Sequence, residues 1–265
     1  MTVQGSPNTI HELVENILAS YLVTGGAGFI GSHLVDRLLE TGKKVVVVDN
    51  FDDFYEPRIK RDNIAPYLDN RNFTLKEVDL RDKQGLEEIF QSDVISRVIH
   101  LAARAGVRAS LNNPFIYEEV NIRGTLNLLE VCRRHHLESF VFASSSSVYG
   151  DTDRIPFFEE ESAKPVSFYA TSKCAGEMIC YTYHNLHHIP TVCLRLFTVY
   201  GPRQRPEMAI HKFTRLISQG KEIDIFGNGS SRRDYTYISD IIDGIIQVLN
   251  RRFDFEVFNR IECMI

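Results

Sequence analysis

The stretch Tyr21-Leu22-Val23-Thr24-Gly25-Gly26-Ala27-Gly28-Phe29-Ile30-Gly31 decides how the chain is read. Tyr21 to Val23 are apolar and suit a short buried strand. Phe29 to Glu40 place Ile30, Leu34, Val35, Leu38 and Leu39 on one helical stripe, with Gly42 just past the end. Lys44 then leads into the unbroken run Val45-Val46-Val47-Val48, as a parallel strand buried on both faces requires, and Asp49 closes it. The order is strand, glycine turn, helix, strand, acid. Glycines allow the tight turn and a close backbone approach, and the helix N-terminus faces an anion. Such a turn predicts a dinucleotide cradle formed by Gly25, Gly28, Phe29, Ile30 and Gly31. An acid at the end of the second strand takes the adenosine ribose hydroxyls, which favours NAD over NADP. A glycine triplet alone would equally suit a plain strand–helix turn; the context carries the reading.

A second motif, Tyr169-Ala170-Thr171-Ser172-Lys173, says what is done with the dinucleotide. A Tyr and a Lys four apart share one helix face. A nearby ammonium favours the phenolate. A phenolate beside a nicotinamide takes a proton from an alcohol while hydride leaves the carbon. The alternative is a packing tyrosine on an amphipathic helix.

Composition narrows the class. The 265-residue chain has a formal net charge of -5, which argues against a general nucleic-acid or membrane-surface role. No apolar stretch is long enough for a bilayer and no signal peptide opens the chain, so it reads as cytoplasmic. The five cysteines (Cys132, Cys174, Cys180, Cys193, Cys263) show no metal spacing and read as reduced, packed thiols. The pairs His135-His136 and His187-His188 lack a carboxylate or cysteine at ligand spacing, so they read as helix-end or surface residues and no metal is expected.

Strands and helices alternate along the chain. Further strands are expected at Phe73–Val78, Arg97–Leu101, Ser139–Ala143 and Thr191–Arg195, with helices near Lys83–Gln91, Pro114–His135 and Ser167–Asn185. This pattern predicts an α/β fold with a doubly wound, Rossmann-type parallel sheet. After Gly201-Pro202 the rhythm breaks, which suggests a small C-terminal substrate lobe interleaved with the sheet. The expected organisation is a helical extension over 1–18, with a capping box at Thr9 and Glu12, a dinucleotide domain over 19–195 and a substrate lobe over 196–265.

The chain resembles the NAD-dependent sugar-nucleotide epimerase/dehydratase group of extended short-chain dehydrogenases/reductases, over about residues 20 to 259. The resemblance rests on Thr24 to Gly31, Asp49-Asn50, Asp79-Leu80, His100-Leu101-Ala102-Ala103, Ser144-Ser145-Ser146-Ser147-Val148-Tyr149-Gly150, Tyr169 to Lys173 and Arg233-Asp234-Tyr235. It implies that Asp49 and Asn50 hold the adenosine ribose, that Asp79 and Leu80 flank the adenine, and that Leu101, Ala102 and Ala103 line the cofactor. It also implies that Lys173 holds the nicotinamide ribose, Ser145 bonds the reacting sugar hydroxyl, and Arg233 binds the nucleotide diphosphate. Asn121 reads as either a water or backbone link to Lys173 or a polar residue inside a helix. A homodimer built from the two long helices is implied as well.

The branches of this family differ after the catalytic Ser/Thr. Dehydratases carry an Asp-Glu pair there and decarboxylases a Glu, since both reactions need a second acid or base. This chain has Ser146 and Ser147, and 4-epimerisation of a UDP-sugar is what remains. Thr198-Val199-Tyr200-Gly201-Pro202-Arg203-Gln204-Arg205-Pro206-Glu207-Met208-Ala209 resembles the segment of UDP-glucuronate 4-epimerases. By that resemblance Thr198 and Arg205 face the C6 carboxylate, and Arg is the preferred bidentate partner of a carboxylate. Arg205 as one of several surface arginines is the competing reading. Family members continue several tens of residues beyond the strand at Phe255–Asn259, so the lobe is expected to be truncated at Ile265. Three functions stay open: a UDP-glucuronate 4-epimerase, a UDP-glucose 4-epimerase, and a truncated, inactive NAD-binding protein.

Overall fold

The computed structural model describes residues 19–152, 154–224, 228 and 233–259. The expected helix over 1–18 and Cys263 lie outside these residues. Strands are β1 (Ser20–Thr24), β2 (Lys44–Val48), β3 (Phe73–Lys76), β4 (Ile95–His100), β5 (Ser139–Ser145), β6 (Thr191–Leu196), β7 (Thr198–Tyr200), β8 (Tyr235–Tyr237) and β9 (Phe255–Asn259). Seven of them form one parallel sheet in the order β3-β2-β1-β4-β5-β6-β9, and β7 pairs with β8 in a second, two-stranded sheet. The order reverses between β1 and β4, the switch point where an open α/β sheet leaves a crevice. Register aligns the strand ends there. Thr24 pairs with both Val48 and His100, so Gly25, Asp49 and Leu101 leave the sheet at one edge.

Helices cover both faces. They are α1 (Phe29–Glu40), α2 (Pro57–Ile64), α3 (Lys83–Ser92), α4 (Val107–Asn112), α5 (Pro114–Tyr117), α6 (Gly124–Cys132), α7 (Phe168–His187), α8 (Ala209–Ser218) and α9 (Ile238–Leu249). Successive strand residues point to opposite faces. Val23, Val47, Ile99 and Val141 therefore pack with Leu34 and Leu38 of α1 and Ile241 and Ile245 of α9. Leu22, Val46, Val98 and Phe140 pack with Leu86 of α3, Leu128 and Leu129 of α6 and Cys180 of α7.

The C-terminal segment is interleaved as expected. β7, α8 and β8 stand apart from the large sheet, whereas α9 packs on α1 and β9 forms its edge. An Arg37–Asp243 bond of 2.7 Å joins α1 to α9. Two differences from the sequence reading matter. The helical region expected over Pro114–His135 contains a π-helical turn, Glu118–Arg123, between α5 and α6, and it ends at Cys132. The fifth strand runs on to Ser145, and Ser146–Tyr149 form a 3₁₀ turn. Helices α2 and α4 are short and carry no repeating apolar stripe.

Candidate active site

The crevice holds a cavity of about 300 Å³ whose wall runs from the glycine turn to Tyr169. Gly25 adopts φ +69°, and a Cβ there would meet the Ala102 backbone at 2.8 Å. A Cβ on Gly31 would fall on the Gly25 carbonyl. Helix α1 begins at Gly28 without a side-chain cap and without an acid in its first turn. Its first N–H groups are therefore left for an anion, which suits the pyrophosphate of a dinucleotide. Gly28, Phe29 and Ile30 line the same wall.

Asp49 is buried at the far side of the cradle. It accepts from Ala27 N at 3.2 Å and Phe51 N at 2.9 Å, and the Lys60 ammonium stands 4.0 Å away. Burial pushes its carboxyl upward, against the pull of Lys60. Asn50 donates to Asp79 at 2.7 Å. Arg81 grips Asp79 and holds its carboxyl down to about 2. Asn50, Asp79, Leu80, Leu101, Ala102 and Ala103 all line the cavity. The loops after β2 and β4 also bring in Phe54, Tyr55 and Arg104, with Arg104 paired to Asp52, and helix α2 brings in Lys60. Sequence reasoning missed these four. They lie outside the motifs and become neighbours only through the parallel register.

At the other end, Ser145, Tyr169 and Lys173 are brought together. Ser145 ends β5, and Ser167 caps α7 by accepting from Ala170 N at 3.1 Å. Burial raises the pKa of the Tyr169 phenol, while the neighbouring Ser145 hydroxyl and the Arg205 charge lower it. Lys173 donates to the Ala143 carbonyl at 2.7 Å and sits 6.0 Å from the Tyr169 ring centroid. Burial drives its pKa down to about 8, opposed by Cys180 and Glu177. Lys173 points at the end of β5, and Ser145 and Arg205 are the groups that pull the phenol down against burial.

Two polar networks brace the site. His100 is buried, with Nδ1 2.7 Å from Thr24 Oγ1 and Nε2 2.9 Å from Thr125 Oγ1. Thr125 gives its proton to the Asn121 carbonyl at 2.5 Å, so it accepts from Nε2–H, and Thr24 donates to Nδ1. Thr24 in turn accepts from Ala102 N at 3.2 Å. Burial, helped by Lys173, pushes the imidazole down to about 3. The Asn121 side chain holds both backbone groups of Arg104 and the Ser172 hydroxyl. In the second network Arg195 makes a two-point pair with Glu177 at 2.8 and 3.0 Å and donates to the Tyr149 hydroxyl at 2.7 Å. Ser144 donates to Glu177, which fixes the strand end before Ser145.

Not every expected residue is on the cavity wall. Arg205 is, 5.8 Å from the Phe54 ring. Ser146 and Ser147 form the 3₁₀ turn, with Ser147 N donating to Ser145 Oγ at 3.2 Å. Thr198 opens β7 opposite Tyr235, and Arg233 lies just before β8. His135 and His187 sit at helix ends against Phe90 and Tyr183. Among the described residues there is no cluster of three or more His, Cys, Asp or Glu fit for a metal, and no helix is long and apolar enough to cross a membrane.

Residues 21–259 match the NAD dependent epimerase/dehydratase family. A UDP-glucuronate 4-epimerase from Thermodesulfobacterium geofontis is 45% identical over 240 residues, which are 90% of this chain and 74% of that protein. UDP-glucuronate 4-epimerase 3 of Arabidopsis thaliana is 44% identical, over 87% of this chain and 55% of its own. The structure of UDP-glucuronic acid 4-epimerase from Bacillus cereus with UDP-glucuronic acid and NAD superposes with a TM-score of 0.85 at 40% identity, covering 91% of this chain and 76% of that one. The UDP-glucose 4-epimerase of Thermotoga maritima gives 0.83 at 35% identity. With its glycine cradle, its buried Asp49 and its Tyr169–Lys173 pair, the chain belongs to the NAD-dependent epimerase/dehydratase family.

Proposed function

We propose that the protein interconverts UDP-glucuronate and UDP-galacturonate by 4-epimerisation through a 4-keto intermediate. The observation that carries this reading is Arg205, a guanidinium on the wall of the cavity that also holds Tyr169 and Ser145. It gives a C6 carboxylate a charge-assisted partner. The carboxylates on that wall are Asp49, Asp52 and Asp79, and each is already engaged: Asp49 by backbone N–H groups, Asp52 by Arg104, Asp79 by Arg81. None is left to serve as the second base that dehydration needs, which supports epimerisation.

NAD, when bound, accepts hydride from C4 of the sugar and returns it. Ser145 holds the 4-hydroxyl in line with the phenol, and Tyr169 takes its proton and later gives one back. Lys173 and Ala143 hold the floor beneath that exchange. Arg205 retains the carboxylate while the keto sugar presents its other face.

The test is product analysis. The NAD-loaded protein should convert UDP-glucuronate to UDP-galacturonate and act far more slowly on UDP-glucose. UDP-galactose as the main product, with UDP-glucuronate untouched, would place a UDP-glucose 4-epimerase ahead.

A further inference from the structure

We infer that Glu207 sets the affinity of the site for the uronate, as an internal carboxylate that holds the Arg205 guanidinium until the sugar's own carboxylate displaces it. This rests on the proposed uronate substrate.

The geometry begins with a turn. Met208 N donates to the Arg205 carbonyl at 3.1 Å, closing Arg205-Pro206-Glu207-Met208. Proline at the second position presets such a turn. The segment is anchored from behind, where Gln204 is buried, donates to the Val199 carbonyl at 2.9 Å and accepts from His211 N at 3.2 Å. Arg205 Nε meets Glu207 Oε1 at 3.2 Å. The two ends of that pair differ in environment. The Arg205 side chain is 21% exposed and faces the cavity, whereas the Glu207 side chain is 44% exposed and outside its wall. Arg205 acts on the phenols of Tyr169, Tyr117 and Tyr55, and Glu207 opposes it at Tyr55.

A cavity guanidinium awaiting an anion would be poorly solvated and unpaired. Glu207 supplies the charge in the meantime, and its exposure lets it return to water cheaply when replaced. For a uronate, binding exchanges one carboxylate on Arg205 for another. A hydroxymethyl group carries no charge, so a neutral sugar leaves the Arg205–Glu207 pair in place. Glu207 therefore lowers uronate affinity and keeps the empty site compatible with solvent.

The experiment measures binding by calorimetry to the full, NAD-loaded chain, in a Tyr169→Phe background that stops turnover. UDP-glucuronate, UDP-glucose and UDP are compared with Glu207 present and with Glu207→Gln. A part-exposed ion pair is worth about two- to fivefold in affinity. Glu207→Gln should tighten UDP-glucuronate by that factor and leave UDP and UDP-glucose without gain. Unchanged NAD content and UDP affinity show that the fold is intact. Weaker or unchanged UDP-glucuronate binding in the variant would overturn the inference and make Glu207 a brace for Arg205. If the protein with Glu207 in place already fails to prefer UDP-glucuronate over UDP-glucose, the substrate reading falls, and this inference with it, before any Glu207 variant is compared.

Discussion

Tyr169 and Lys173 stand one helical turn apart with both end groups withdrawn from water, and burial moves them in opposite directions, the phenol up and the ammonium down to about 8. Ser145 and Arg205 counter the first shift, so the proton acceptor depends on its neighbours as well as on its helix. Tyr169→Phe removes only the acceptor. Turnover should fall by about a hundredfold or more while NAD stays bound, as activity and absorbance of the purified variant will show. Near-normal turnover would remove Tyr169 from the reaction. His100 makes a separate prediction. Its folded-state pKa, about 3, lies below the ordinary 6.5, so between these values the unfolded chain binds the extra proton. Stability attributable to His100 is therefore lost progressively as pH falls from 6.5, on the order of 2 kcal/mol by pH 5. His100→Asn should melt with a flatter pH dependence over that range. Parallel losses in both proteins would assign the acid sensitivity elsewhere.

Among the elements, α1 and the π-helical turn carry the most function. The start of α1 works because neither a capping side chain nor an acid stands at its first turn. Gly31→Ala puts a methyl on the Gly25 carbonyl and forces the cradle apart. NAD affinity should drop at least tenfold by calorimetry, roughly the loss of one charge-assisted hydrogen bond. Unaltered affinity would show that the turn can yield. The π-helical turn interrupts the regular α-helical spacing within the helical run from Pro114 to Cys132. Its extra residue per turn swings Asn121 inward to hold Arg104 and Ser172, a demand that comes from neighbouring elements rather than from local periodicity. Strand β5 likewise outran its apolar pattern. Ser144 and Ser145 are polar yet buried, held by Glu177 and by the 3₁₀ turn.

At the scale of the whole molecule, α7 and the run from α5 to α6 leave Phe115, Leu126, Met178 and Leu186 exposed. Exposed apolar side chains gathered on adjacent helices fit a contact with another protein surface. The expected assembly is a homodimer through these helices, so light scattering at micromolar concentration should give the mass of two chains. A single-chain mass would contradict it. Within one chain, Arg195 joins β6 to α7 through Glu177 and reaches, through Tyr149, the side chain of Asn259 on β9. The edge strand is thereby tied to the braced end of β5 beside Ser145.

Stereochemistry and short-range periodicity carry much of this protein openly. A glycine that must turn tightly, valines buried on both faces and a Tyr and Lys one turn apart are local requirements, so the fold class, the cradle and the Tyr169–Lys173 helix were legible residue by residue. The position of Asp49 at the end of β2 was legible for the same reason. The rest depends on which strand ends lie side by side. Lys60 of α2 and the loop residues Phe54 and Arg104 are separated in sequence and meet at one cavity only because β1 pairs in register with both β2 and β4. The direction of the Lys173 ammonium, the tautomer of His100 and the pairing of Arg205 with Glu207 are likewise set by tertiary structure. Burial and hydrogen-bond partners act through space, and no spacing along the chain encodes them.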